Sequence, residues 1–81
     1  MKKQTPQERI EIKRILKEQY GEDSELFKKI IIMDDTTLCT EKTTNLVYTC
    51  VEIQLKGCLI ERGIRRRYVG YADLENYEVS N

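Results

Sequence analysis

The chain has no histidine and no tryptophan, and it has a single proline. Its 81 residues carry fourteen basic and fourteen acidic side chains, so the net charge is zero. Histidine is the side chain best suited to moving protons near neutral pH, and without it acid–base and nucleophilic catalysis have little to work with. A non-enzymatic protein is expected. Zero net charge removes whole-molecule steering toward nucleic acid or an anionic bilayer, so any such attraction must be local. No apolar run approaches the roughly 20 residues that cross a bilayer, and the amino terminus lacks the charged, apolar and small-residue pattern of a secretion signal. These absences predict a cytoplasmic location and no membrane partner.

Cysteine is scarce and oddly placed. Cys39, Cys50 and Cys58 are an odd number at irregular spacing, a poor basis for a disulfide framework and a better fit to a reducing compartment. Cys50 and Cys58 could approach across a hairpin, although burial as free thiols is the commoner outcome. With no histidine and no CxxC pair a zinc site lacks ligands, and no metal or cofactor is expected. The glycines at 21, 57, 63 and 70 are dispersed as turn and cap residues and form no phosphate loop.

Hydrophobic residues make up 40% of the chain and charged residues 35%, an ordinary globular balance. The length suits one domain spanning 1–81 with a small core, since a chain this short buries only about 60% of its unfolded surface. Thr5-Pro6-Gln7-Glu8 supplies a capping threonine, a proline at the first helical position and a glutamate three residues past the cap. A helix over 6–20 follows, with Ile12, Ile15, Leu16 and Tyr20 as its apolar stripe, Arg9 and Lys13 mostly elsewhere, and Gly21 ending it. Ile10 lies off the stripe.

From residue 28 to 79 the pattern reads as β. Ile30-Ile31-Ile32-Met33 is a short β-branched run. Residues 46–55 form the longest predicted strand, with Val47, Thr49, Val51, Ile53 and Leu55 on one face and a wetter set ending in Glu52 and Gln54 on the other. Lys56-Gly57 and Arg62-Gly63 are turn signals that create a meander. Over 36–44 the threonines suit a strand and Glu41-Lys42 suits a hairpin loop, and both readings stand together. Tyr77-Glu78-Val79 could close the sheet. The expected fold is α+β: one amino-terminal helix on a four- to five-stranded, mainly antiparallel sheet, open or curled into a small barrel.

Two candidate chemical groups recede on inspection. Asp34-Asp35 is an adjacent carboxylate pair, but neighbours on a strand face opposite ways and Asp is a favoured turn residue, so a solvated turn outweighs a metal site. Cys58 is the cysteine nearest in sequence to the arginines, but activation needs a clearly electropositive setting. What remains is a basic, tyrosine-bearing stretch: Arg62, Arg65, Arg66, Arg67, Tyr68 and Tyr71. Alternation puts Ile64, Arg66 and Tyr68 on one face and Arg65, Arg67, Val69 and Tyr71 on the other. Turning Ile64 and Tyr68 inward leaves Arg65 and Arg67 as the exposed pair, about 7 Å apart along the strand. The opposite parity would tuck Arg65 and Arg67 beside Val69 and Tyr71, their stems along apolar surface. Acidic residues, Glu22, Asp23 and Glu25 among them, form a stripe elsewhere.

Three functions fit. The first is a protein-interaction module that binds and regulates or inhibits a larger partner, because tyrosine and arginine dominate interface hot spots. By analogy with the small inhibitors that phages and mobile elements direct at nucleic-acid enzymes, the acidic stripe would imitate phosphates. The second is direct DNA or RNA binding by the 62–71 strand, with tyrosine stacking on bases. The third is an oligomer enclosing a nucleotide at its interface. A homodimer through an uncovered sheet edge is compatible with each. Beneath all three lies the plain possibility that the arginines solubilise an edge strand.

Overall fold

A computed structural model of the protein describes residues 4–81. The predicted span 1–81 and the reading of the extreme amino terminus both include residues 1–3, which lie outside it. Helix α1 runs Pro6–Tyr20 and is capped as its sequence requires. The Glu8 N–H donates to Thr5 Oγ1 at 3.2 Å, the Thr5 N–H donates to Glu8 Oε1 at 3.0 Å, and at the far end the Gly21 N–H donates to the Lys17 carbonyl at 2.8 Å. The sheet comprises β1 (Leu38–Glu41), β2 (Val47–Ile53), β3 (Gly57–Arg62), β4 (Arg65–Gly70) and β5 (Tyr77–Ser80), with a 3-10 helix over Tyr71–Asn76 leading into β5. Its order is β4-β3-β2-β1-β5 and every pairing is antiparallel. This is the expected α+β architecture, and the sheet is open, not a closed barrel.

Three expectations need correction. First, residues 25–31 are helical: α2 covers Glu25–Ile31. The β-branched run at 30–33 obscured it, yet its burial has a helical period, Ile30 and Met33 being buried and Ile31 and Ile32 exposed. The Phe27 N–H donates to Ser24 Oγ at 2.9 Å, Glu25 sits in the first turn and Lys28 and Lys29 in the last. A capping serine with charges opposing the helix dipole was the available signal. Second, the face of β2 is reversed along its first half. Tyr48 and Cys50 point inward and Val47 and Thr49 outward, and a β-bulge between Cys50 and Glu52 then restores Ile53 to the core. An unbroken alternation could not anticipate that extra residue.

Third, Arg9 belongs to the interior. It is only 7% exposed, while Ile15 of the predicted stripe is exposed. The reason lies in the sheet. β1 pairs only with the first part of β2, so the second part has an edge that no strand among the described residues fills. Side chains from α1 and from the residue before its cap fill it instead. Gln4 Nε2 donates to the Ile53 carbonyl at 2.7 Å and the Ile53 N–H donates to Gln4 Oε1 at 2.9 Å. Arg9 Nη2 donates to the Val51 carbonyl at 3.1 Å, with Nη1 3.9 Å from Cys50 Sγ. One turn on, Lys13 Nζ donates to the Ile31 carbonyl at the end of α2 at 2.9 Å. Burial, with Arg9 beside it, lowers the Lys13 pKa. The core is one cluster in which Leu16, Phe27, Ile30, Met33, Leu74 and the inward residues of the sheet meet. No helix among the described residues is long and apolar enough to cross a membrane.

Candidate functional site

β3 and β4 meet in the two-residue turn Gly63-Ile64, and Gly63 at φ 64 adopts the left-handed conformation that the first central position of a tight hairpin favours. The register pairs Arg62 with Arg65, Glu61 with Arg66, Ile60 with Arg67 and Cys58 with Val69. Val69 and Tyr71 are buried, so Arg67, two residues before Val69, faces inward, and Tyr68 faces outward at 51% exposure. Ile64 at the turn is fully exposed at 101%. The expected parity is therefore reversed: Ile64 and Tyr68 do not turn into the core. Tyr68 instead crosses the outer face over Gly57. A β-carbon at 57 would lie 2.7 Å from the Tyr68 ring and would collide with the Val69 carbonyl, so the close approach depends on glycine.

The inner face has a covered end and an open end. Ile53, Cys58, Cys50 and Ile60 lie in the core. Beyond them, toward the β3–β4 turn, Leu46, Tyr48, Arg62, Arg65, Arg66 and Arg67 line a groove of about 640 Å³. Its wall is Arg67. Arg67 Nη1 donates to Glu41 Oε2 at 3.1 Å and to Tyr77 Oη at 2.8 Å, and its guanidinium lies 4.9 Å from the Tyr48 ring centroid. Tyr48 and Tyr77 stack edge to face at 6.3 Å. β4 and β5 are the two edges of the sheet, so Arg67 is a side-chain tie between strands that share no ladder. The Tyr77 hydroxyl foremost, with the nearby Tyr48 and Glu41, pushes the Arg67 pKa up. Arg66, which starts from the opposite face and reaches only the rim of the groove, donates from Nε to Glu61 Oε2 at 3.0 Å.

Arg62 and Arg65 differ from both: among the described residues neither has a carboxylate within ion-pair distance. They sit directly opposite each other across the hairpin, and like charges so placed destabilise a strand pair by roughly 0.2–1 kcal/mol. The open end of the groove thus holds two arginines paired directly across the hairpin, a like-charge pairing that an anion bound between them would relieve.

The other sequence candidates separate from this site. Tyr71 is 2% exposed and its hydroxyl donates to the Gln54 carbonyl at 2.5 Å; burial raises its pKa. It is a core residue. In the acidic stripe Glu22 pairs with Lys17 at 3.3 Å and Glu25 with Lys28 at 3.5 Å, leaving Asp23 beside an alternation of signs and not within a negative surface. Burial pushes the Cys39 and Cys58 thiols up to about 12. Cys50 is also raised by burial, although Arg9 opposes it. All three are free and buried, so Cys58 offers no thiolate. Asp34 Oδ1 accepts from the Thr36 N–H at 2.8 Å and from Thr36 Oγ1 at 2.6 Å, and these bonds lower its pKa, as in a turn. No group of three His, Cys, Asp or Glu side chains among the described residues could hold a metal ion. Sequence reasoning misses Leu46 and Tyr48 as groove residues, because unbroken alternation through β2 turns Val47 and Thr49 inward in place of Tyr48.

These features define a small α+β domain with an arginine groove at the open end of its sheet. Comparison with known proteins finds no matching family model, curated protein or solved structure.

Proposed function

We propose that the protein is a non-enzymatic interaction module that grips an acidic segment of a larger protein partner in the Arg62/Arg65 groove. The observation that carries this reading is the pair of opposed arginines, without a carboxylate within ion-pair distance among the described residues, at the mouth of an arginine-lined groove. A guanidinium binds a carboxylate bidentately, and the attraction grows as the partner excludes water. Ile64 beside them adds an apolar contact that a protein surface can cover.

Binding of single-stranded nucleic acid is less well supported, because it uses exposed rings beside the cations, and binding of a duplex through its phosphates has a net charge of zero against it. Tyr71 is in the core and Tyr68 is on the face opposite Arg67. Tyr48 in the groove is already occupied by Arg67. The same shortage counts against a nucleotide-enclosing oligomer. The acidic stripe, threaded with Lys17 and Lys28, gives little support to phosphate mimicry.

The test is an NMR titration of the labelled protein with a penta-glutamate peptide and, separately, with an eight-residue oligothymidylate, repeated for the Arg62→Glu/Arg65→Glu variant. The expected result is peptide-induced shifts centred on residues 62–67 that vanish in the variant. Tighter oligothymidylate binding with a steep salt slope would transfer the assignment to nucleic acid. No response to either ligand would reduce the arginines to a solvated edge.

A further inference from the structure

The interaction reading leaves open how a partner segment would lie, and the backbone of β4 supplies an answer. β4 is an edge strand, paired on one side only by β3. In an antiparallel pair, opposed residues alternate between those that exchange both hydrogen bonds and those that exchange neither. The Tyr71 N–H donates to the Lys56 carbonyl at 3.2 Å, which fixes the phase: the pairs 56/71, 58/69 and 60/67 are bonded, and 59/68 is not. The N–H and C=O of Tyr68 therefore point away from β3, toward the open edge. A further bare edge, along the second half of β2, is filled by Gln4 and Arg9, and β5, the opposite edge strand, carries no arginine. Beside β4 there is a cleft of about 240 Å³, bounded by Arg67, Tyr68 and Val69, by Asn76 and the start of β5, and by the carboxylates of Glu41 and Asp73.

We infer that an acidic, extended peptide segment of the partner adds to β4 as a sixth, antiparallel strand, with its carboxylates at every second residue. This rests on the function proposed above. An added strand repeats at about 7 Å per two residues, the spacing of Arg65 and Arg67 along β4. Residues on its groove side are acidic: one meets Arg65, which has no carboxylate within ion-pair distance among the described residues, and the next meets Arg67, whose Nη1 is held by Glu41 and Tyr77 and whose other nitrogens would take the added carboxylate. Residues on its outer side lie beside Tyr68, which is half exposed, and are apolar. In antiparallel register the residue opposite Tyr68 shares its face, so the apolar residues are the ones whose N–H and C=O bond to β4. A second copy is the weaker occupant: β4 against β4 would oppose Arg65, Arg66 and Arg67 with their like, and β5 offers a single acid, Glu78.

The probe is acetyl-Glu-Val-Glu-Val-Glu-amide. Its controls are the block sequence acetyl-Val-Val-Glu-Glu-Glu-amide and two N-methylated forms, one methylated on both valines and one on the central glutamate. Binding is followed by NMR, with amide hydrogen exchange measured at saturation. The alternating peptide should bind at least fivefold more tightly than the block peptide. Methylation of the valines should abolish that advantage and methylation of the glutamate should not, and exchange at the Tyr68 amide should slow at least tenfold. Binding that depends on Arg62 and Arg65 but leaves Tyr68 exchange unchanged, with both N-methyl forms equivalent, would overturn strand addition and leave the interaction reading intact. Failure of every glutamate peptide to bind would overturn both.

Discussion

Arg9 and Arg65 are the same residue type at opposite ends of one sheet, and the structure uses them in opposite ways. At the covered end Arg9 is buried, its guanidinium bound to the Val51 carbonyl where β1 has run out and its flank against Cys50. At the open end Arg65 is exposed, faces Arg62 and has no carboxylate among the described residues. Arg9 completes a hydrogen-bond ladder; Arg65 leaves a charge unanswered. The lesson is that an arginine's role follows from what the backbone beside it lacks. A short neighbouring strand creates carbonyls that need a donor, whereas a hairpin tip creates only solvent-facing positions.

The sharpest way to break the contrast is to truncate each arginine and compare stability with binding. Arg9→Ala should cost about 2–4 kcal/mol in urea unfolding, because the Val51 carbonyl loses its donor and the packed stem is lost. A loss below about 0.5 kcal/mol would mean that the site relaxes and that Arg9 is dispensable. Gly57→Ala, on the outer face, should cost about 1–3 kcal/mol, since the new methyl meets the Val69 carbonyl and the Tyr68 ring. Its effect should fall on stability and on the β3–β4 amide shifts together.

Arg67→Met probes the boundary between the two ends. It removes the tie to Glu41 and Tyr77 and the contact with Tyr48, and should cost about 1 kcal/mol because the pairs are partly exposed. Arg62→Thr should do the reverse of Arg9→Ala: stability unchanged or raised by a few tenths of a kcal/mol as the cross-strand repulsion goes, with glutamate-peptide binding lost. A clear destabilisation by Arg62→Thr would show that the open end is structural after all.

The thiols extend the comparison to pH. Burial holds Cys39 and Cys58 near 12 in the fold, whereas an unfolded thiol ionises near 8.5. The folded state then holds more protons than the unfolded state between about pH 9 and 12, so stability falls as pH rises through that window. Cys58→Ala should shallow the slope of unfolding free energy against pH there. An unchanged slope would mean that the thiols do not govern alkaline stability. In the native protein at neutral pH a thiol reagent should react only as fast as the chain unfolds.

Much of this was legible in the sequence because it depends on neighbours in the chain. The capping box, the terminating glycine, the Gly63 turn and the antiparallel meander of four to five strands follow from local chemistry and hydrophobic period. The concentration of arginine and tyrosine at 62–71 marked the stretch that lines the groove. α2 was less legible, because propensity favoured a strand at 30–33 while the Ser24 cap argued for a helix, and capping with burial of Ile30 and Met33 won. Which residues of that stretch act was not legible at all. Tyr71 reads like Tyr68 in sequence, yet one is in the core and the other on the surface.

The sequence by itself determined the class of the protein, α+β and poor in catalytic side chains, because periodicity and composition are properties of short windows. Only the tertiary structure decided which face of each strand is inside. One bulged residue in β2, in its pairing with β3, and the sealing of the bare edge of β2 by Gln4 and Arg9 set that parity, the second through contacts between residues more than forty positions apart. No local pattern encodes such contacts, and through them the choice of Arg62 and Arg65 as the open pair is made.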